Sequence, residues 1–432
     1  MPHNNETLSK KTPSKPLPIP SWLSANFLAS QQSLNGSASN PINELRKKAF
    51  ENLNSNGFAS VRDEEWKYTN VKDLIKTKFE LASDAEKSAS AFKDKASIVF
   101  VNGEFSEELS TIKNSDTLKF SRLNQEKELT AEYFGKISQP GSFVDLNTAL
   151  AKDGIVLEAT GEVKETIEIL YHTSGDSLIV NPRLLVVARE NSKLEILERF
   201  SGSASGGAYL NNYVAEFVVE ANAKVKHYKI QEEDSNSFHF SRIDTKQEGK
   251  GIYENHCFNF GSKLSRNEIN PVLNGEYGFS LLHGLNILDA EQHVDNHTVL
   301  DHALPNCDSN EWYKGIYNDK STGIFSGTII VREDAQKTNA FQSNQSLLLS
   351  NDSESYSKPQ LKIWADDVKC SHGATVGELD KDAMFYLRSR GIPEKTAQGM
   401  LIRAFANDIL EPIKIEAFKE ELEAKILDKL SL

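Results

Sequence analysis

Pro359–Ile392 reads PQLKIWADDVKCSHGATVGELDKDAMFYLRSRGI, and in it one kind of structure gives way to another. Leu361–Lys369 mixes β-branched, aromatic and acidic residues in the manner of a strand. Cys370 and His372 follow, two residues apart. On a continued strand both side chains leave one face, about 6.5 Å apart along the backbone. A thiol beside an imidazole is a soft ligand pair, or a nucleophile beside a base. Gly373 and Gly377 then break the strand pattern. Asp380 has the character of a helix cap, and Asp382–Ser389 reads as a short helix closed by Gly391-Ile392-Pro393.

Before this stretch the texture is β. From Ile155 short β-rich runs recur, among them Thr166–His172, Arg183–Ala188, Lys193–Phe200, Tyr213–Glu220, Lys224–Ile230, Gly251–Phe260 and Gly278–Leu288. Asn, Ser, Gly and Asp sit between them, with no clean fixed period. Such a series is compatible with a sandwich, a barrel or a β-solenoid. Asn274-Gly275 is the only Asn-Gly hairpin candidate in the region, and scarce reversals favour stacked parallel coils.

Beyond it the chain turns helical. Pro393 stands near the first position of a helix that continues through Met400, Leu401, Phe405 and Ile409, with Pro412 as punctuation. Ile415, Phe418, Leu422, Ile426 and Leu430 form an apolar stripe, and Glu421 and Lys425 are a favourable i,i+4 pair. At the other end residues 1–20 are polar and Pro-rich. Leu45, Phe50 and Leu53 have rough helical spacing, stopped by Gly57, and Ile98–Asn102 reads as a short strand. Phe143–Ala151 is again helix-like. The expected division is a flexible tail at 1–40, a helical or mixed region at 41–154, a β core at 155–378 and a helical region at 379–432.

Composition narrows the function. The 432 residues suit about three average domains, or fewer in a β-rich fold. With 24 Gly, 13 Pro and 38% hydrophobic residues the chain is neither collagen-like nor wholly disordered. A net charge of −13 argues against a general binder of nucleic acid or anionic membranes. Three cysteines, Cys257, Cys307 and Cys370, are too few and too odd for a disulfide framework, which favours a reducing compartment. The first twenty residues lack the apolar segment of a secretory signal, and no apolar run nears the ~18 residues that span a bilayer. A cytoplasmic location is therefore expected.

Several chemistries are excluded by motif. There is no G-x-x-x-x-G-K-[ST], no G-x-G-x-x-G after a strand and no G-x-S-x-G elbow. The Gly/Ser-rich Gly202–Gly207 reads as a flexible turn. His293, His297 and His302, with Cys307 beyond, suggest a metal at first sight. In a strand, however, His293 and His297 stand about 13 Å apart, too far for zinc–nitrogen bonds of ~2.1 Å. Polar packing at a coil corner or interface is the preferred reading, though a histidine from another coil would complete a site hidden in the linear sequence. Arg62–Thr69, RDEEWKYT, reads as a buried Trp66/Tyr68 anchor with a salt-bridged rim.

Taken in order, these motifs resemble one known family. ADDVKCSHGATVG at Ala365–Gly377, followed by FYLRSRGI at Phe385–Ile392, resembles the SufD branch of the SufB/SufD family, scaffolds of the SUF iron–sulfur cluster assembly system. Arg62–Thr69, Phe100–Phe105 and Leu146–Ala149 with Asp153-Gly154 are similar to its N-terminal landmarks. His293–His297, Asp301-His302, Phe325–Val331, Ala335–Asn339 and Leu347–Ser350 are similar to its middle. The likeness runs from Arg62 to Phe405.

The resemblance implies a mainly β fold, a central right-handed parallel β-helix flanked by N-terminal and C-terminal helical regions. It implies a scaffold rather than an enzyme, partnered by a SufB-like protein and a SufC-like ATPase that hydrolyses the ATP. The family histidine carries over to His372, placed where the SufB-like chain meets this one and helping a nascent cluster form or transfer. Cys370 is its companion. Two ligands cannot close a four-ligand cluster site, so the rest must come from another coil or chain. No tightly bound cofactor is expected, only a transient iron–sulfur cluster at that interface. The C-terminal helices are the expected dock for the ATPase, with Met400, Leu401, Phe405 and Ile409 as contacts, although the same pattern also serves an internal core. The isolated chain is a plausible homodimer through an open sheet edge. Other readings are a purely structural partner of the SufB-like protein, a stand-alone metal-binding solenoid using the histidine run, and a polysaccharide-acting solenoid enzyme.

Overall fold

The computed structural model describes residues 16–33, 41–82 and 94–430. Its centre is a parallel β-solenoid of about eight turns. Successive strands alternate between two sheets, so each pairs in parallel with the strand two further on. One sheet ends in Phe238–Gln247, Leu264–Leu273, His293–His302, Thr322–Val331 and Glu354–Ile363. The other ends in Ile252–Asn259, Phe279–Leu288, Asp308–Tyr317, Thr338–Leu348 and Val368–Gly377.

The corners explain why hairpin signals are scarce. Where the chain passes from the first sheet to the second, one residue per coil takes a left-handed conformation: Asn191, Asn222, Lys250, Tyr277, Asn306 and Lys337, with φ between 58° and 62°. That single residue turns the backbone without reversing it, so no two-residue hairpin turn is needed. Asn tolerates the conformation well, whereas Lys and Tyr adopt it at some cost. The coils also differ in length, which is why no fixed period shows in the sequence.

Inside the solenoid, Ile169, Ile196, Val225, Ile243 and Leu282 pack as one apolar core. Charged groups share that interior and are bonded there. Glu198 accepts from the hydroxyls of Tyr171 (2.9 Å) and Tyr213 (2.6 Å), and His227 Nε2 lies 2.7 Å from its other oxygen. Lys229 Nζ lies 2.9 Å from His239 Nε2 and donates to Asn267 Oδ1 at 3.0 Å.

Part of the expected tail is ordered helix. Ser21–Ser33 buries Trp22, Leu23 and Phe27 against the helices Pro41–Asn56 and Ser142–Leu150 and against Leu210 and Phe238 of the solenoid. Its apolar residues have a surface to cover, which the sequence by itself does not reveal. Residues 1–15 and 34–40 of that tail lie outside the described residues. The first coil is closed by antiparallel strands, Glu104–Phe105 on Ile98–Val101 and Leu118–Arg122 on Ile155–Ala159. The N-terminal region is tied down by a fully buried ion pair, Arg183 Nη2 to Glu216 Oε2 at 2.7 Å. Glu216 also accepts from the N–H groups of Gly135, Ile137 and Ser138, and Arg183 donates to Asn147.

At the other end Asp380 caps Lys381–Ser389 by accepting from the N–H groups of Asp382 and Ala383, and Gly391 ends the turn at φ +85°, as expected. Glu394–Leu410 and Glu416–Lys429 lie along the second sheet, burying Ile402, Ile409, Phe418, Leu422 and Ile426 against Tyr228, Phe258 and Ile316. One local expectation is corrected. Leu361–Lys369 is not one strand but the end of Glu354–Ile363, a corner at residues 364–367 and the start of Val368–Gly377. Gly373 and Gly377 do not break that strand, because parallel pairing on Ser343 and Leu347 continues through them.

Arg183→Met should lower the free energy of chemical unfolding by about 3–5 kcal/mol, since it leaves Glu216 charged, buried and without its counter-ion. A loss under about 1 kcal/mol in denaturant titration would show that the three backbone donors alone suffice.

Candidate functional site at the open end of the solenoid

The last strand of each sheet, Glu354–Ile363 and Val368–Gly377, pairs on one side only. Ten residues in each sheet thus form an edge whose outward backbone donors and acceptors have no strand to meet among the described residues. Phe341, Tyr356, Ile363, Trp364 and Val376, all on the last two coils, are exposed, Trp364 by 61%. Long, flat, partly apolar edges are what folded proteins ordinarily avoid.

Cys370 and His372 sit on that edge. Val368 and Cys370 pack against the solenoid core, so by strand alternation His372 also points inward, at the rim where no further coil covers it. In register Cys370 stands on Ala340 and His372 on Gln342. Burial pushes the Cys370 thiol up, partly offset by a hydrogen bond with the Ala340 backbone, so it is a thiol rather than a thiolate at neutral pH. One rung below His372, Gln342 is buried and donates to Glu311 Oε2 at 2.5 Å. Burial pushes Glu311 up to about 7, with the Gln342 bond pulling the other way. A column of His372, Gln342 and Glu311 therefore runs inward from the rim. Gln342 lies in the family-like stretch that runs on from Ala335–Asn339, but nothing in the sequence singled out Glu311, which matters only through coil register. No group of three or more His, Cys, Asp or Glu able to hold a metal ion occurs among the described residues.

The histidine run is divided. His302 points into the interior, 2.9 Å from Ser309 Oγ, and burial pushes it down to about 4. His293 and His297 face outward and meet the other motif, Arg62–Thr69. Thr69 Oγ1 donates to Asp295 Oδ2 at 2.5 Å and lies 3.1 Å from His293 Nε2. His297 Nε2 lies 2.9 Å from Asp295 Oδ1. Burial opposes its charge, yet Asp295 and Glu65 hold its pKa above the ordinary value. Arg266 bonds Asp295 at 2.5 Å and stacks 3.8 Å from the Trp66 ring centroid. Trp66 also stacks on Phe143 and Phe240. The segment reaches the last coil, where Tyr68 stacks on Tyr356 at 4.5 Å and Glu64 accepts from Lys358.

Of the four expected docking contacts, Met400 is exposed, Leu401 and Phe405 are half-buried, and Ile409 is fully buried. Lys314 lies 4.7 Å from the Phe405 ring centroid and donates to its carbonyl oxygen. Phe405 and Ile409 thus serve the fold. Besides Met400, the C-terminal helices expose apolar surface on Lys381–Ser389, where Phe385 and Tyr386 are exposed beside a cleft of about 880 Å³ lined by Leu349, Leu379 and Met384. Gly202 and Ser203 end the strand Lys193–Ser203, and the bend after them is closed by the chain's own carboxylates: Asp176 accepts from the N–H groups of Ser205, Gly206 and Gly207, and Asp234 from that of Ala204. None of the described helices is long and apolar enough to cross a membrane.

Known proteins share this architecture's sequence. Residues 171–405 match the SUF system FeS cluster assembly SufBD core domain, and residues 22–169 match the SufBD protein N-terminal region. An iron–sulfur cluster assembly SufBD family protein of Synechocystis is 32% identical, covering 91% of this chain and 92% of that protein. The iron–sulfur cluster assembly protein SufD of Escherichia coli is 29% identical, covering 87% of this chain and 90% of that one. The chloroplastic protein ABCI7 of Arabidopsis thaliana is 31% identical, covering 90% and 86%.

Glu311 makes a pH prediction. The folded chain holds its proton up to about pH 7, whereas an ordinary glutamate releases it near 4.5. Stability present below pH 4.5 is therefore lost as pH rises to 7, by roughly 3 kcal/mol. Glu311→Gln should remove that decline. Unfolding midpoints of both proteins across this range check it, and parallel curves would refute it.

Proposed function

The chain belongs to the SufB/SufD family of iron–sulfur cluster assembly proteins, and on that premise we propose that it is the SufD-like, non-ATPase scaffold subunit of a complex with a SufB-like protein and a SufC-like ATPase. The observation that carries this reading is the pair of open ten-residue edges with their exposed apolar side chains. A second solenoid placed edge to edge extends both sheets at once, pairs both rows of backbone groups and covers Tyr356, Ile363, Trp364 and Val376. In the absence of that partner the same edge pairs with a second copy of this chain.

At such a seam His372 and Cys370 are enclosed, and the cluster ligands this chain lacks come from the partner. The imidazole supplies a neutral nitrogen ligand, and the thiol becomes a ligand once iron draws off its proton. The cluster is cargo: built there and passed on. The exposed face of Lys381–Ser389, with Met400, is the proposed dock for the ATPase, whose nucleotide-driven movement shifts the seam through the C-terminal helices.

Co-expression with the SufB-like and SufC-like partners tests the reading. His372→Ala should leave the complex assembled but reduce its iron and acid-labile sulfide several-fold. Normal iron and sulfide in that variant would make this chain a purely structural subunit. Trp364→Glu combined with Val376→Lys should abolish co-purification of the SufB-like partner while leaving the far-ultraviolet circular dichroism spectrum of the isolated chain unchanged. Undiminished co-purification would refute the edge-to-edge seam.

A further inference from the structure

Buried arginines in this fold come with carboxylates. Arg183 is fully buried against Glu216, and Arg266, 2% exposed, bonds Asp295 and Glu268. Arg46 breaks the pattern. It sits in the second turn of the helix Pro41–Asn56 and is 4% exposed, yet it has no hydrogen-bond, ion-pair or ring partner among the described residues. Its Nε is enclosed with nothing to donate to. Burial pushes its pKa down to about 10, so the guanidinium remains charged at neutral pH. A buried charge without a counter-charge is among the costliest features a fold can carry, and it persists where something outside the chain supplies the partner.

Arg46 opens into a cleft of about 300 Å³. One wall is the first turn of its own helix, at Ile42 and Asn43, where the helix dipole adds positive potential. Another is the turn Leu123, Asn124 and Gln125, with Phe134 as an apolar neighbour. Lys152 and Asp153 complete the rim. Asp153 does not neutralise Arg46, because its oxygens are taken by the Arg122 guanidinium at 2.6 Å and by the N–H groups of Phe105 and Gly154.

We propose that this cleft binds a small metabolite bearing a carboxylate or phosphate, with the anionic head on Arg46 and the body against Leu123 and Phe134. Arg fits because its planar fork matches both oxyanions with paired hydrogen bonds. Asn124 and Gln125, both exposed, also line the cleft, and their side chains carry amide donors. The volume is at the small end of ligand pockets, which excludes a dinucleotide. The cleft joins the helix Pro41–Asn56 to the antiparallel strands that close the first coil, far along the stack from His372. An occupant ties the N-terminal helices to that closed end. The site is thus independent of the cluster seam.

Thermal unfolding of the purified full chain tests it, with inorganic phosphate and succinate titrated separately at ionic strength held constant with chloride. The wild-type midpoint should rise saturably, by about 3 °C at a hundredfold excess over Kd. The anion that acts identifies the head group. Arg46→Met should show no response to either anion, with an anion-free midpoint at or above that of the wild type. Asn124→Asp places a carboxylate in the cleft, and should raise the anion-free midpoint and abolish the response. A wild type unmoved by both anions overturns the proposal. So does a saturable response retained in Arg46→Met or, should that variant fold poorly, in Asn124→Asp.

Discussion

A parallel stack of strands satisfies its backbone only by having another coil above and below, and this requirement governs the molecule. Every interior coil meets it automatically. The two ends do not, and the chain treats them in opposite ways. At the first coil, antiparallel strands Glu104–Phe105 and Leu118–Arg122 turn back over the stack, and the N-terminal helices cover the outside. At the last coil nothing turns back, and ten residues of each sheet are left as an edge. A polar outer face or a capping turn is the usual solution at the end of a solenoid. Instead Trp364, Ile363 and Val376 are exposed there. An unblocked edge with apolar side chains is stable in isolation only as long as no copy finds it, which is why it reads as an interface.

The N-terminal segment is not confined to the end it closes. Trp66 is held between Phe143, Phe240 and Arg266, and Arg266 in turn is held by Asp295. Asp295 gathers Thr69, Arg266 and His297 around one buried carboxylate, kept well below its usual range chiefly by Arg266 and His297 against the effect of burial. From that anchor Tyr68 and Glu64 extend to Tyr356 and Lys358 of the last coil. Residues more than two hundred positions apart in sequence are therefore in contact, and the N-terminal region touches the strand at the open edge directly. Two of the three histidines that looked like a metal site, His293 and His297, are the receiving face of this anchor.

Much of this was readable in the residues. The β texture after Ile155, the capped helix after Asp380 and the helical ending follow from alternation, caps and Gly or Pro placement, which are local. Cys370 and His372 sharing a face also follows from local alternation. What could not be read depends on register. Glu311 stands two rungs from His372 only because the coils between them have the lengths they do. Arg62–Thr69 and His293–His297 meet because the N-terminal segment folds back over the sheet, which no spacing reports. Ile409 matched a docking stripe and is buried core, with Phe405 half-buried against it, since an amphipathic helix shows which face is apolar and not what covers it. Ser21–Ser33 was hidden for the same reason, its apolar residues being meaningful only beside the surface they cover.

The chemistry of the edge has a physical consequence for any cargo placed there. This chain brings one thiol, raised by burial, and one exposed imidazole to the rim, with no third acidic, thiol or imidazole group to complete a metal site among the described residues. On the proposed reading, two such groups hold iron only weakly, because the proton on Cys370 competes with it. A half-site of this kind cannot retain a cluster alone. On the reading proposed above that weakness is useful: ligands completed across a seam form a site when the edges are joined and lose it when they part. Affinity then depends on the register of two solenoids rather than on any one residue, and small movements at the seam suffice to change it. The buried column of Gln342 and Glu311 lies directly beneath, so a proton gained or lost by Glu311 near neutral pH changes the charge one rung from the imidazole's neighbour. A scaffold that must build and then release its cargo gains more from such a switchable half-site than from a complete one.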